Sequence, residues 1–406
     1  MIWRHTATVT TLIACCISAQ GNLAYAKPEV KPSLAKLTFS PQEIDQILKH
    51  GPWPPPAARD AGNRLSGQPL AIELGQQLFF DKRLSPDGRM ACASCHVAAK
   101  AFGDGLARSL GRELLDRNAP SLWNAVHERW QGWDGASDSL WSQAIRPLTD
   151  PREMASNAQH ISRVIASDPQ LACRWKQIFG TSPLADTDAT LVNTAKAIAA
   201  FNASLVSRPT PFDAFRDSLS RGQRGNTISY PVAAQRGLRI FVGRGQCNAC
   251  HIGPMFSNGE FGDTGITFFI RQGVVDTGRH GGIVALKASS FNLLSRWSDE
   301  SVQSSVKTQH VDLQHRNFGE FKVPSLRNVA ETSPYMHNGQ LATLTDVVRH
   351  YSQLNIERLH ADGEKILNPL RLTDTEIRDV VAFLNTLSDS QARHWTPKVP
   401  NSCRSK

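Results

Sequence analysis

The sequence predicts a mainly α fold built as two similar halves, and three observations carry that prediction. Apolar residues recur at helical spacing in several segments, while alternating, strand-like runs are scarce. The pattern Cys-x-x-Cys-His occurs twice, as Cys92-Ala93-Ser94-Cys95-His96 and as Cys247-Asn248-Ala249-Cys250-His251. The residues flanking one copy also reappear around the other.

From the N-terminus, Arg4 and His5 precede an uncharged stretch from Ala7 to Ala19, and Ala24-Tyr25-Ala26 fits a small-x-small cleavage site. This predicts a signal peptide over 1–26 and a mature chain beginning near Lys27. Leu12-Ile13-Ala14-Cys15 also resembles a lipoprotein box, so a lipid anchor at Cys15 stays open. The first unit is expected over 27–217. Its helical segments are Pro41–His50 (with Ser40 placed to cap it), Ile72–Phe80, Leu140–Arg146, Asn157–Ser167 and Thr187–Phe201. Trp53-Pro54-Pro55-Pro56 reads as an extended arm packed on the surface. A linker over 218–230 follows, Ser/Arg/Gly-rich from Ser218 to Ser229. The second unit, 231–390, carries helical segments Pro231–Phe241, Thr343–Ser352 and Thr373–Ser388. Thr373 with Glu376 forms a capping-box pattern. Between motif and helices lies a long Gly/Ser/Asn-rich insertion, 271–317, whose role as lid or docking loop stays open, and a polar tail occupies 391–406.

The chain has 406 residues and a net charge of +9, with 17 Phe and 9 Trp available for cores. No apolar run outside the N-terminal stretch approaches the ~20 residues of a membrane span, which excludes a polytopic membrane protein and predicts no transmembrane span. No run of five basic residues occurs, so nothing points to nucleic acid. The positive balance favours acidic partners.

Cys-x-x-Cys-His is the attachment signal for c-type haem. Its two thiols bond the porphyrin vinyls, and its His supplies the proximal ligand to iron. A lone copy could equally be a redox dithiol or half a zinc site. Two copies, each with its His, in an exported chain point to two covalent haems held by Cys92, Cys95 and His96 and by Cys247, Cys250 and His251. Of the remaining cysteines, Cys15 and Cys16 leave with the signal. Cys173 and Cys403 can pair in an oxidising compartment, although Cys403 sits in a polar tail and sequence alone leaves the pairing open.

The repeat separates the two haems chemically. Gly75-x-x-Leu78-Phe79 matches Gly237-x-x-Ile240-Phe241, and Pro120-Ser121-Leu122-Trp123-Asn124 matches Pro324-Ser325-Leu326-Arg327-Asn328. In the register of the second match, Trp133 falls on His337, Gln143 on Val347 and Pro147 on Tyr351. A phenol can ligate iron and a proline cannot, so one haem would be closed by Tyr351 and the other open beside Gln143. Met336, His337 and His350 are competing ligands on residue chemistry alone.

From about Leu74 to Leu387 the chain resembles the bacterial di-haem cytochrome c peroxidases and their relative MauG, which matures the tryptophan tryptophylquinone cofactor of methylamine dehydrogenase in methylamine utilisation. The likeness rests on Leu78-Phe79-Phe80-Asp81 through His96, Arg117-Asn118-Ala119-Pro120, Trp133-Asp134-Gly135, Pro324 to Asn328 and Pro334-Tyr335-Met336-His337. It implies two cytochrome c-like domains in a periplasmic oxidoreductase. His96 would serve the peroxide-reactive haem and His251 the second. Gln143, Pro147 and Glu153 would line the peroxide pocket, with Glu153 as general acid/base, and Trp133 would lie between the haems. Asn118, Thr332 and Pro334 would bind a calcium ion. Two departures from the peroxidases look like MauG. Arg112 stands where the loop Ser109-Leu110-Gly111-Arg112 usually offers a capping His, and Tyr351 replaces a distal Met.

The resemblance therefore implies hydrogen peroxide as oxidant and a partner protein as substrate, such as a methylamine dehydrogenase precursor. The alternatives are a peroxidase drawing electrons from cytochrome c or a cupredoxin, and a non-enzymatic electron carrier. Gly243-Arg244-Gly245-Gln246 offers no surface aromatic for docking near the second haem, which leaves Phe256 and Trp297 as substitutes.

Overall fold

In the computed structural model, residues 37–223, 229–267, 269–300, 305–363, 366–399 and 402–403 are described. The expected signal peptide, with Cys15 and the site after Ala26, lies outside them, as does 224–228 of the expected linker.

The element order is α1 (Pro41–Leu48), α2 (Pro69–Phe80), α3 (Cys92–Cys95), α4 (Leu140–Thr149), α5 (Ala158–Ser167), α6 (Pro169–Phe179), α7 (Thr187–Ala203) and α8 (Pro211–Ser220). It continues with α9 (Val232–Val242), β1 (Phe261–Gly262), β2 (Phe269–Arg271), β3 (Val274–Val275), α10 (Arg279–Ala288) and α11 (Val306–Gln309). The last elements are β4 (Phe321–Lys322), α12 (Leu344–Ser352) and α13 (Asp374–Asn385). The class is mainly α, with β1 paired to β4 and β2 to β3, both antiparallel. Among the described residues no helix is long and apolar enough to cross a membrane.

Local chemistry accounts for the helix starts. Ser40 and Glu43 close a capping box at α1, and Thr373 with Glu376 does the same at α13. The pattern reading misses α6, α8 and α10. Pro169 and Pro211 each stand at a helix start, where a missing N–H is harmless. The expected linker thus begins inside a helix, because α8 runs to Ser220.

Two apolar cores form. The first gathers Leu74, Phe79, Trp141, Ile161, Ile198 and Phe201, the second Leu238, Phe241, Phe256, Phe383 and Leu387. The second core also takes Ile47 of α1 and Phe212 of α8. Within the first unit, expected over 27–217, α1 and α8 therefore bury their apolar faces in the other core. The same helix crossing is built twice. A Cβ on Gly75 would stand 1.9 Å from the Ala197 carbonyl oxygen, and one on Gly237 would stand 1.9 Å from that of Asp379. Only glycine lets α2 meet α7, and α9 meet α13, at that distance.

Three further segments differ from expectation. Trp53 of the proline arm is buried, its Nε1 donating to the Ser207 carbonyl at 3.0 Å, so the arm is anchored rather than laid on the surface. The tail is tied down. Trp395 packs against Phe80, Phe102 and Phe201, and Cys403 is bonded to Cys173 with Cα atoms 6.1 Å apart. Among its described residues the insertion is folded and not merely loop: it starts at the end of β2 and contains β3, α10 and α11. It docks through Lys307, which donates to the carbonyls of Arg129 and Asp138, and through Thr308 and Leu293, which both donate to the Asp138 carboxylate.

Candidate functional site

Each Cys-x-x-Cys-His motif forms one tight turn against its core. His96 Nδ1 lies 2.9 Å from the Phe102 carbonyl oxygen, and His251 Nδ1 lies 2.8 Å from that of Phe256. Bonding Nδ1 to a carbonyl sets the ring orientation and directs ligand capacity to Nε2. Ser121 and Ser325 then brace the two turns alike, donating to the carbonyls of Ala101 and Met255 at 2.6 and 2.7 Å. Cys92, Cys95, Cys247 and Cys250 form no disulfide. Burial pushes the Cys92 and Cys247 thiols up to about 12 and Cys95 to about 11. A catalytic dithiol needs a lowered pKa, and Cys92, Cys95 and Cys247 are shifted the other way.

A cavity of about 1000 Å³ adjoins the second motif, lined by Cys247, Cys250, His251, Val347 and Tyr351. Its volume and mixed apolar wall suit a large planar cofactor. Tyr351 stands near the end of α12, which starts at the Thr343–Asp346 capping box. Burial raises the phenol's pKa well above its ordinary value, and the nearby Cys247 and Cys250 raise it further. The phenol and the motif thus line one cavity. The competing ligands fare differently: His350 Nε2 is 2.7 Å from the Thr264 carbonyl, and His337 stacks on Phe321 at 3.5 Å. Burial lowers His337 to about 4. Met336 and His337 line the same cavity.

The first motif packs through Cys92 against the core to which α4 also contributes Leu140, Trp141 and Leu148. Helix α4 carries Gln143 and Pro147, and its first turn is capped by Ser139. Asp60 also holds that turn, accepting from the backbone N–H of Leu140 at 2.7 Å and of Trp141 at 3.1 Å. Gln143 Oε1 is buried without a partner among the described residues. A buried acceptor left unpaired is costly, which fits a position that receives a hydrogen bond from a bound molecule. Glu153 follows α4 and lies near enough to Cys92 and Cys95 to raise both thiols. Its own carboxyl is raised from 4.5 to about 7, by burial first and then by Asp150. The loop 109–112 closes over the same region. Leu110 O is 3.9 Å from Cys95 Sγ, and Arg112 N donates to Arg152 O at 2.8 Å. Arg112 itself pairs with Asp87. The chain has no His between His96 and His127, so this loop brings no imidazole.

Trp133 connects the halves. Its Nε1 donates to the Asn118 carbonyl at 2.9 Å, and Asn118 N donates to the His337 carbonyl at 2.8 Å. Trp133, Asn118, Thr332 and Pro334 all line the large cavity. Asn118 Nδ2 donates to Leu106 O at 2.6 Å, and Thr332 Oγ1 to Val329 O at 3.2 Å. Of the docking aromatics, Phe256 is fully buried and is thereby excluded, while Trp297 packs partly buried against the first core.

Sequence reading does not single out Asp60 or His50. Asp60 has no motif around it. His50 is buried and stacks on Phe256 at 4.5 Å, beneath the carbonyl that holds His251. No pattern in the chain pairs these distant residues.

Two turns of half-buried thiols with a directed imidazole, each on its own helical core, define a di-haem c-type protein. The chain belongs to the di-haem cytochrome c peroxidase family, whose description residues 69–220 match. It is 32% identical over 367 residues to Cytochrome-c peroxidase IdrP2 of Pseudomonas sp. (strain SCT), covering 87% of this chain and 89% of that one. It is 31% identical over 335 residues to Methylamine utilization protein MauG of Methylorubrum extorquens, covering 82% of each. Among solved structures it is similar to a MauG-like protein associated with microbial copper homeostasis. That match has TM-score 0.63 and 27% identity, and covers 84% of this chain and 96% of that one. The protein is accordingly a haem oxidoreductase.

Proposed function

We propose that this is a periplasmic MauG-like enzyme that uses hydrogen peroxide to oxidise a partner protein, with tryptophan side chains as the target chemistry. The observation that carries the reading is the contrast between the two sites. In the second, Tyr351 lines one cavity with Cys247, Cys250 and His251. The first offers Pro147, the unpartnered Gln143 and a loop without imidazole.

Cys92, Cys95, Cys247 and Cys250 would hold the two haems covalently, with His96 and His251 as proximal ligands and Tyr351 as the second ligand of the latter. When bound, the haems supply the redox chemistry by which peroxide accepts two electrons. Peroxide plus two electrons and two protons gives two waters. Gln143 accepts a hydrogen bond from peroxide at Oε1. Glu153, raised to about 7, takes the proton from one peroxide oxygen and returns it to the other. Pro147 supplies no ligand and keeps that position open. Trp133 stands between the halves. Asn118, Thr332 and Pro334 would hold a calcium ion there, the latter two through carbonyls.

A second reading, peroxide removal with electrons from cytochrome c or a cupredoxin, is favoured by the absence of an aromatic in Gly243 to Gln246. One experiment separates the two. The oxidised holoprotein is mixed with peroxide and either a methylamine dehydrogenase precursor or reduced cytochrome c. Tryptophan oxidation in the precursor, found by mass spectrometry, supports the first reading. Turnover with cytochrome c alone supports the second.

A further inference from the structure

We propose that His315, His360 and Asp362 form a binding site for a divalent first-row cation that favours imidazole, of the Zn²⁺ or Cu²⁺ kind. The three lie outside the machinery described above. His315 sits at the end of the insertion, in the turn His315–Asn317. His360 and Asp362 belong to the segment that follows α12.

One candidate ligand atom from each residue lies within 4.8 Å of the others. Ligands of a tetrahedral ion at its usual bond lengths are about 3.3 Å apart, so small side-chain rotations complete the set. His315 Nδ1 is already 2.8 Å from Asp362 Oδ2, and the two imidazole rings are 5.1 Å apart. The segment is held in place, because His360 N donates to Asp263 Oδ2 at 2.7 Å. The His315 ring is also flanked by Phe318 at 5.6 Å, which itself stacks on His280 at 3.8 Å.

An exposed His–Asp pair alone would be an ordinary surface contact of little value. The second imidazole, brought in beside it, changes the chemistry. Two imidazoles and one carboxylate match the donors of borderline cations and not those of Mg²⁺ or Ca²⁺, which take oxygen. His315 and Asp362 are exposed and His360 half-buried, so an ion reaches the site from solvent and a fourth position remains for water. The ion would bridge the insertion to the segment after α12, the helix that carries Tyr351.

The test is isothermal titration of Zn²⁺ into the tag-free holoprotein after chelator dialysis. The expected result is one site that is weakened about tenfold or more in each of His315→Ala, His360→Ala and Asp362→Ala. The exposed tail residue His394 serves as control, and His394→Ala should bind as wild type. Mg²⁺ should give no binding. Thermal unfolding of the same samples should show Zn²⁺ raising the wild-type Tm and not that of His315→Ala. Undiminished Zn²⁺ affinity in the three variants, or equal loss in His394→Ala, would overturn the proposal. So would a wild-type Tm that Zn²⁺ leaves unmoved.

Discussion

Replacing Glu153 by Gln should remove proton transfer while keeping the side-chain volume. Burial is the main cause of its raised carboxyl pKa of about 7, and Asp150 adds to it, while Arg146 and Arg152 pull the other way. As the base that takes the first peroxide proton, Glu153 must be ionised. About one-eleventh is ionised a unit below that value and about ten-elevenths a unit above it, so the rate should rise roughly tenfold between pH 6 and pH 8. Losing a positioned acid/base slows such steps by about 10²- to 10⁴-fold. Single-mixing measurements of peroxide consumption across that range give both quantities. In Glu153→Gln the rate should drop by that order and the rising limb should vanish. Asp150→Asn removes one of the two raising causes and should shift the limb to lower pH. A Glu153→Gln variant within about threefold of wild type, with the limb intact, would refute the assignment.

The helix crossings give a packing test. Gly237→Ala puts a methyl 1.9 Å from the Asp379 carbonyl oxygen, so overpacking should cost about 1–3 kcal/mol or more in denaturant unfolding. Asp60 gives a pH test. Burial raises its carboxyl from 3.8 to about 7, so the folded chain holds a proton that the unfolded chain has lost. Its contribution is full below about 3.8 and is lost as pH rises through about 7, an effect on the order of 4 kcal/mol at most. His50 and His337, lowered to about 4, act in the opposite direction between pH 4 and 6.5. The difference between wild type and Asp60→Asn therefore isolates the term, and it should change between pH 5 and 8. If calcium joins the halves at Asn118, Thr332 and Pro334, chelation should lower Tm and added Ca²⁺ should restore it, with Asn118→Ala responding less to both.

The sequence shows the chemistry more clearly than the partition of the chain. Both Cys-x-x-Cys-His turns, the helices before them and the contrast of Pro147 with Tyr351 are local patterns and can be read directly. The structure then brings Tyr351 to the cavity beside Cys247 and Cys250 and sets Gln143, Pro147 and Glu153 on and just after α4. What escapes reading is set by contacts distant in sequence. Helices α1 and α8 bury Ile47 and Phe212 in the second core although both precede the linker. Trp395 of a polar tail fills a gap among Phe80, Phe102 and Phe201. Asp60 caps α4 from eighty residues away. Glycine richness also misled in the insertion. Gly281 and Gly282 lie inside α10, and a Cβ on Gly282 would stand 2.1 Å from the Asp134 carbonyl oxygen, so glycine there serves close packing.

The central claim is that one haem is closed by Tyr351 and the other is open to peroxide. EPR of the fully oxidised holoprotein, wild type beside Tyr351→Phe, tests it most directly. The account predicts one high-spin and one low-spin ferric haem in the wild type, with the low-spin signal lost in Tyr351→Phe and the high-spin signal unchanged. Two low-spin haems in the wild type, or a low-spin signal that survives loss of the phenol, would contradict it.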